Sequence, residues 1–250
     1  MCSGVRNVIS LLLLSFWAPT DDPPLPTLSS EGVGVTAVVV FSIALLFFGG
    51  WLALRHHAEA VFEPDYWEAT IQAFEEADAG APPQRQIVFI GSSSIRLWED
   101  LEEDMAPLPV LNRGFGGAHM SHLVHNAERI VTAYTPRAVV VYGGDNDIGA
   151  GKTPETIAAD FASLVERLRS HQPDLPIYFI TIKPSRLRWE QWPAMSETNT
   201  LIARMASADR NLSILDVSRP MLDLGQGEAP PDDLFWIDGL HLSEQGYAIW

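Results

Sequence analysis

The stretch IVFIGSSSIRLWEDLEEDM, residues 87–105, decides the architecture. Its first four residues are an uninterrupted apolar run, which reads as a short strand buried on both faces. Gly91-Ser92-Ser93-Ser94 then breaks the run, and a helix-like segment follows at once. The same alternation continues along the chain. Apolar runs at residues 110–111, 138–142, 177–182 and 212–217 are separated by helical patterns at 121–134, 154–170 and 197–208. A further helical stretch precedes them at residues 64–80, with Pro64 near its start, Gly80 at its end and Trp67, Ile71 and Phe74 on one face. Strands alternating with helices imply right-handed βαβ units, hence a parallel sheet of five strands covered on both faces. In such sheets a site lies outside the carboxyl ends of the strands.

Polar and glycine-rich turns occupy those ends. Ser93 sits on a strand-to-helix turn, where its hydroxyl is exposed and the amides of a helix start face developing negative charge. Alone, this turn reads more readily as a polar helix cap than as a nucleophile. A G-x-S-x-G elbow is absent, because Ile95 stands where its last glycine belongs. The second strand ends in Asn112-Arg113-Gly114-Phe115-Gly116-Gly117, a tight turn or a set of bared amides. The third ends in Gly143-Gly144-Asp145-Asn146-Asp147, where the Asn146 side chain is either an amide donor or an Asx turn. Near the C-terminus stands Asp238-Gly239-Leu240-His241. An Asp and a His three apart on one loop can set a carboxylate against imidazole Nδ1 while Nε2 faces a nucleophile.

In order, G-x-S, N-x-G-x-G-G, G-x-N-D and D-x-x-H resemble the block pattern of the SGNH/GDSL hydrolases over about residues 85–250, most specifically in DGLHLSEQGYAIW. The first block departs from the family's name motif, with Ser92 where Asp often stands. The resemblance implies a three-layer, flavodoxin-like α/β/α sandwich and ester hydrolysis without a metal or other cofactor. It implies Ser93 as nucleophile and its own amide, Gly117 N–H and the Asn146 side chain as oxyanion donors. His241 would be the general base and then the general acid, oriented by Asp238. The implied substrate is a small-molecule, glycan or lipid ester, its acyl group unspecified. A binding module of the same fold without turnover and an O-acyltransferase are the alternatives. Family members usually continue the last helix further, whereas this sequence ends at Trp250, nine residues past His241.

Other candidates are weaker. His119, His122 and His125 form an H-x-x-H-x-x-H series, but on a helix these positions rotate round the axis and do not converge on one metal. His119 and His122 are expected instead at the rim of the substrate pocket. Asp145 and Asp147 have the residue type of a glycosidase pair without further support. Trp189 and Trp192 either wall the pocket or pack a surface loop.

The N-terminal part differs in kind. Residues 33–54 form a 22-residue uncharged run, long enough at 1.5 Å per residue to cross a membrane as a helix. Residues 8–18 are apolar but too short to span, and a Pro-rich linker separates the two. The expected organisation is therefore an N-terminal segment at 1–32, a transmembrane helix at 33–54 and a hydrolase domain at 63–250, the last on the exported side. The 250 residues carry a net charge of −16, which argues against nucleic acid as a partner. Cys2 is the single cysteine, so neither an intrachain disulfide nor a cysteine metal site can form.

Overall fold

In the computed structural model the described residues are 42–43, 46–50 and 63–250. The chain divides into two units, Met1–Ala58 and Glu59–Trp250, and the elements below belong to the second. The expected membrane span at 33–54 lies largely outside the described residues. Among those described, no helix is long and apolar enough to cross a membrane.

A 3-10 turn, Pro64–Trp67, leads into α1, Glu68–Asp78. Then come β1 (Ile87–Gly91), α2 (Ser93–Arg96), α3 (Leu101–Asp104), β2 (Val110–Gly114), α4 (Met120–Ile130), β3 (Ala138–Tyr142), α5 (Asp145–Gly149) and α6 (Pro154–His171). The chain closes with β4 (Ile177–Ile180), α7 (Trp192–Ser207), β5 (Leu212–Leu215), α8 (Ser218–Gly225) and α9 (Glu244–Tyr247). All strand pairs are parallel, in the order β2-β1-β3-β4-β5. Winding reverses around β1, so the crevice between β1 and β3 is the switch point where doubly wound sheets hold ligands.

Each strand divides its side chains between two cores, as the two-residue period requires. Val88, Ile90, Val139, Val141, Ile177 and Phe179 face one layer, with Ile71 of α1, Leu123 of α4, Phe161 of α6 and Ile202 of α7. Phe89, Val140, Tyr142 and Ile180 face the other, against Ile95, Trp98 and Leu101. Burial on both faces explains why the strands read as unbroken apolar runs.

Several element bounds differ from the sequence expectation, each for a local reason. The helix expected over 121–134 stops at Ile130, because Val131 leaves helical geometry at φ −131° and a separate 3-10 turn, Thr132–Tyr134, follows. The helix expected from 197 begins at Trp192, where Pro193 fits the first turn that lacks amide partners. β2 runs on through polar Asn112 and Arg113; the Arg113 guanidinium is held by Tyr134 and Asp78. β5 ends before Asp216, whose carboxylate accepts the Ser218 and Arg219 amides and so starts α8.

Candidate active site

The expected residues are carried by turns at the carboxyl ends of β1, β2 and β3 and by one late hairpin. At Gly91 a Cβ would lie 2.1 Å from the Tyr142 carbonyl oxygen, so only glycine lets β1 end this close to β3. The next amide, Ser92 N–H, donates to that carbonyl at 3.2 Å, and Ser93 opens α2. At Gly114 a Cβ would meet the Arg96 amide nitrogen at 2.5 Å. α2 is thus wedged against the end of β2, which fixes where Ser93 points.

The hairpin is closed by an antiparallel bridge between Phe235 and Leu242, with Trp236 N–H donating to the His241 carbonyl at 2.8 Å. Its tip holds Asp238 and His241. Asp238 Oδ1 accepts the amides of Leu240 and His241 at 2.9 and 3.0 Å, while Oδ2 lies 2.6 Å from His241 Nδ1. His241 Nε2 lies 2.8 Å from Ser93 Oγ, across 148 residues of sequence. Burial acts to raise the Asp238 pKa, but hydrogen bonds from the His241 ring and from the Leu240 and His241 amides outweigh it and hold the carboxyl at about 2. A charged Asp238 accepts a hydrogen bond from Nδ1–H, which leaves Nε2 to accept from the serine hydroxyl.

Gly117 and Asn146 are linked through the turn after β2. Gly117 has φ +72° in the turn after β2. Asn146, in the first turn of α5, donates through Nδ2 to the Ala118 carbonyl at 3.2 Å, beside Gly117. The structure therefore brings Ser93, Asp238 and His241 into one hydrogen-bonded chain and ties Asn146 to the loop of Gly117.

His119 and His122 are not at a pocket rim. They are 4% and 1% exposed and belong to the cap of α4. His119 N–H donates to His122 Nδ1 at 3.1 Å, and Asp147 accepts the Met120 amide while lying against His119 and Lys152. Burial and the adjacent His119 push His122 down to about 4, so it is neutral near pH 7. His125 points elsewhere, towards Asp65 at 3.1 Å. Among the described residues no group of three or more His, Cys, Asp or Glu is placed to hold a metal. Asp145 and Asp147 likewise serve the fold, Asp147 as the buried partner of Lys152. Trp192, partly buried, packs against the larger core. Trp189 borders an open depression of about 400 Å³ together with Gly149 and Arg188.

Three residues here escape sequence reading. Lys183 follows the fourth apolar run directly, is 1% exposed, and donates Nζ to the Leu240 carbonyl at 2.8 Å. Burial lowers its pKa to about 8. Arg188 donates to Asn146 Oδ1 at 3.1 Å and to the Asp145 carbonyl at 2.9 Å. Trp236 lies 5.7 Å from the His241 ring and lines a groove of about 340 Å³ with Leu97, Trp98 and Tyr247. A charged residue at the end of a buried strand was the only signal, and it concerned Lys183 alone.

The sequence model of the GDSL-like lipase/acylhydrolase family matches residues 79–249. No curated protein matches the chain. Among solved structures, a GDSL-like lipase from Bacteroides thetaiotaomicron aligns with a TM-score of 0.60 at 21% identity, over 72% of this chain and 93% of that one. The lipase/acylhydrolase from Enterococcus faecalis aligns at 0.56 and 22%, over 66% and 91%. A carbohydrate esterase family 3 protein from Talaromyces cellulolyticus aligns at 0.52 and 16%, over 66% and 92%. At these identities the likeness is one of fold.

Proposed function

Because the chain belongs to the GDSL-like lipase/acylhydrolase family and is a hydrolase acting on ester bonds, we propose that it cleaves carboxylic esters through an acyl-enzyme on Ser93. The observation that carries this reading is the unbroken relay from Ser93 Oγ to His241 Nε2 at 2.8 Å and from His241 Nδ1 to Asp238 at 2.6 Å. His241 takes the hydroxyl proton as Ser93 Oγ attacks the ester carbonyl. The tetrahedral oxyanion is met by the amides of Ser93 and Gly117 and by the second Nδ2 hydrogen of Asn146. Collapse breaks the bond to the leaving alcohol, which departs with the proton held by His241. Water then gives a proton to His241 as its oxygen bonds the acyl carbon; collapse breaks the bond to Ser93 Oγ, which recovers its proton from His241 as the acid leaves. Asp238 stays charged throughout and stabilises the imidazolium.

The substrate in this reading is an acyl or O-acetyl ester on a glycan or lipid. Residues 33–54 would hold the domain at a membrane on its exported side. The uncharged run supports this. Reporter fusions after Leu54 test the side.

Hydrolysis of p-nitrophenyl esters of graded acyl length tests the chemistry. Wild type is expected to turn over and to be labelled by a fluorophosphonate, and Ser93→Ala to do neither. Asn146→Ala is expected to lose ~10²–10³ in rate, as for removal of one oxyanion donor. A wild-type protein inert to every ester and to the probe sinks the proposal. Adding alcohol or sugar acceptors separates transfer from hydrolysis by product analysis.

A further inference from the structure

A primary amide has two nearly isosteric ends, and only its nitrogen end can stabilise an oxyanion. Whatever surrounds Asn146 must therefore choose between two orientations of its side chain. Ala118 supplies an acceptor on one side, at 3.2 Å from Nδ2, which is a long and weak restraint by itself. On the other side stands Arg188, which carries five donors and no acceptor. Its Nη2 donates to Asn146 Oδ1 at 3.1 Å, and its Nη1 donates to the Asp145 carbonyl at 2.9 Å and lies 3.5 Å from the Asp145 carboxylate. Reversing the amide would set an NH₂ group against the guanidinium, donor against donor, inside a site where Arg188 is 19% exposed.

We infer that Arg188 is a positioning residue that fixes the orientation of the Asn146 amide, so that its NH₂ group faces the reacting carbonyl. The inference rests on the reading of Asn146 as an oxyanion donor. Gly149 belongs to the same device. A Cβ there would lie 3.0 Å from Arg188 Cζ and Nε, so the missing side chain is what lets the guanidinium lie flat on α5. Arg188 comes from the turn after β4, 42 residues from Asn146, so the two are coupled only in the folded state.

The test is a double-mutant cycle on p-nitrophenyl acetate hydrolysis. Arg188→Met in the wild-type background is expected to lower kcat about 10–100-fold while KM moves less than threefold, as for a misplaced group at a reaction centre. In the Asn146→Ala background the same substitution is expected to change kcat less than twofold, because nothing remains to be oriented. A merely structural role would lower the rate in both backgrounds. Arg188→Lys keeps a donor to Oδ1 and is expected to recover part of the loss. Gly149→Ala is the variant least exposed to a folding defect, since it adds a methyl on a helix and displaces only the flexible guanidinium. It is expected to lower kcat at least threefold with Asn146 present and not with Asn146→Ala. Equal losses in both backgrounds, or a raised KM with kcat intact, overturn the inference. They leave Ser93 untouched, provided that wild type hydrolyses the ester and Ser93→Ala does not. If those two behave alike, the reading of Ser93 fails first and takes this one with it.

Discussion

At Asp238 a single carboxylate shows how a local turn sets a charge state. Two amides and one imidazole N–H converge on its oxygens, and their sum outweighs a burial cost that acts in the other direction. A carboxyl held at about 2 contributes its stabilisation in full above its ordinary value near 3.9, and loses it as the pH falls through 2. The Asp238 carboxyl carbon resonance should therefore stay flat from pH 8 to 4 and move only as pH 2 is approached. A midpoint near 4 would show that the hairpin contacts are not formed. Asp238→Asn, which breaks the charge but keeps the shape, is expected to lower kcat by a factor on the order of 10⁴, the scale seen when a triad carboxylate is neutralised. The Asp238/His241 pair was legible in sequence because its geometry is local, three residues apart. The burial of His119 and His122 is not legible in sequence, because partners such as Asp147 arrive from another element. Arg188 was illegible for the same reason, its partner lying 42 residues away.

Among elements, the strands were the most legible, since burial on both faces leaves an unbroken apolar record. Helix ends were read less well. The stop at Ile130 and the start at Trp192 depend on backbone geometry at Val131 and on tolerance of Pro193, neither visible as periodicity. The turn after β4 shows in the sequence only through Trp189, and its contacts are not legible there. It reaches the Asp238/His241 hairpin twice, through Lys183 Nζ to the Leu240 carbonyl at 2.8 Å and through Leu187 N–H to the Gly239 carbonyl at 3.0 Å. Burial depresses Lys183 from 10.5 to about 8, so between those values the native state holds fewer protons than the unfolded chain. Stability should then rise with pH across that window, with a slope of at most about 1.4 kcal/mol per unit. Below pH 8 the lysine is charged in both states and its contribution no longer changes. Denaturant unfolding at pH 8, 9 and 10 checks this against Lys183→Met, which should lack the rise. Parallel curves for the two proteins would refute it.

For the whole molecule, charge is the dominant quantity. Thirty-two acidic residues face sixteen basic ones, giving −16. Paired arginines such as Arg129, held by Glu68 and Glu75, offset only part of the repulsion. Screening acts on the unpaired excess more than on close pairs, so the Tm should rise by a few degrees between about 0.02 and 0.5 M NaCl. A fall in Tm with salt would mean that surface pairs outweigh net repulsion. Composition carried this property without any structure, as the run at 33–54 carried the expectation of an anchor. Composition also holds a rarer feature: the chain has two lysines, Lys152 and Lys183. One is clasped by Asp147 and the other is sealed beneath Leu240. An amine-acylating reagent thus finds on this domain no freely presented ε-amino group. Slow acylation of Lys183 would act as a clock, each modified molecule recording one moment when the hairpin had lifted away from the sheet.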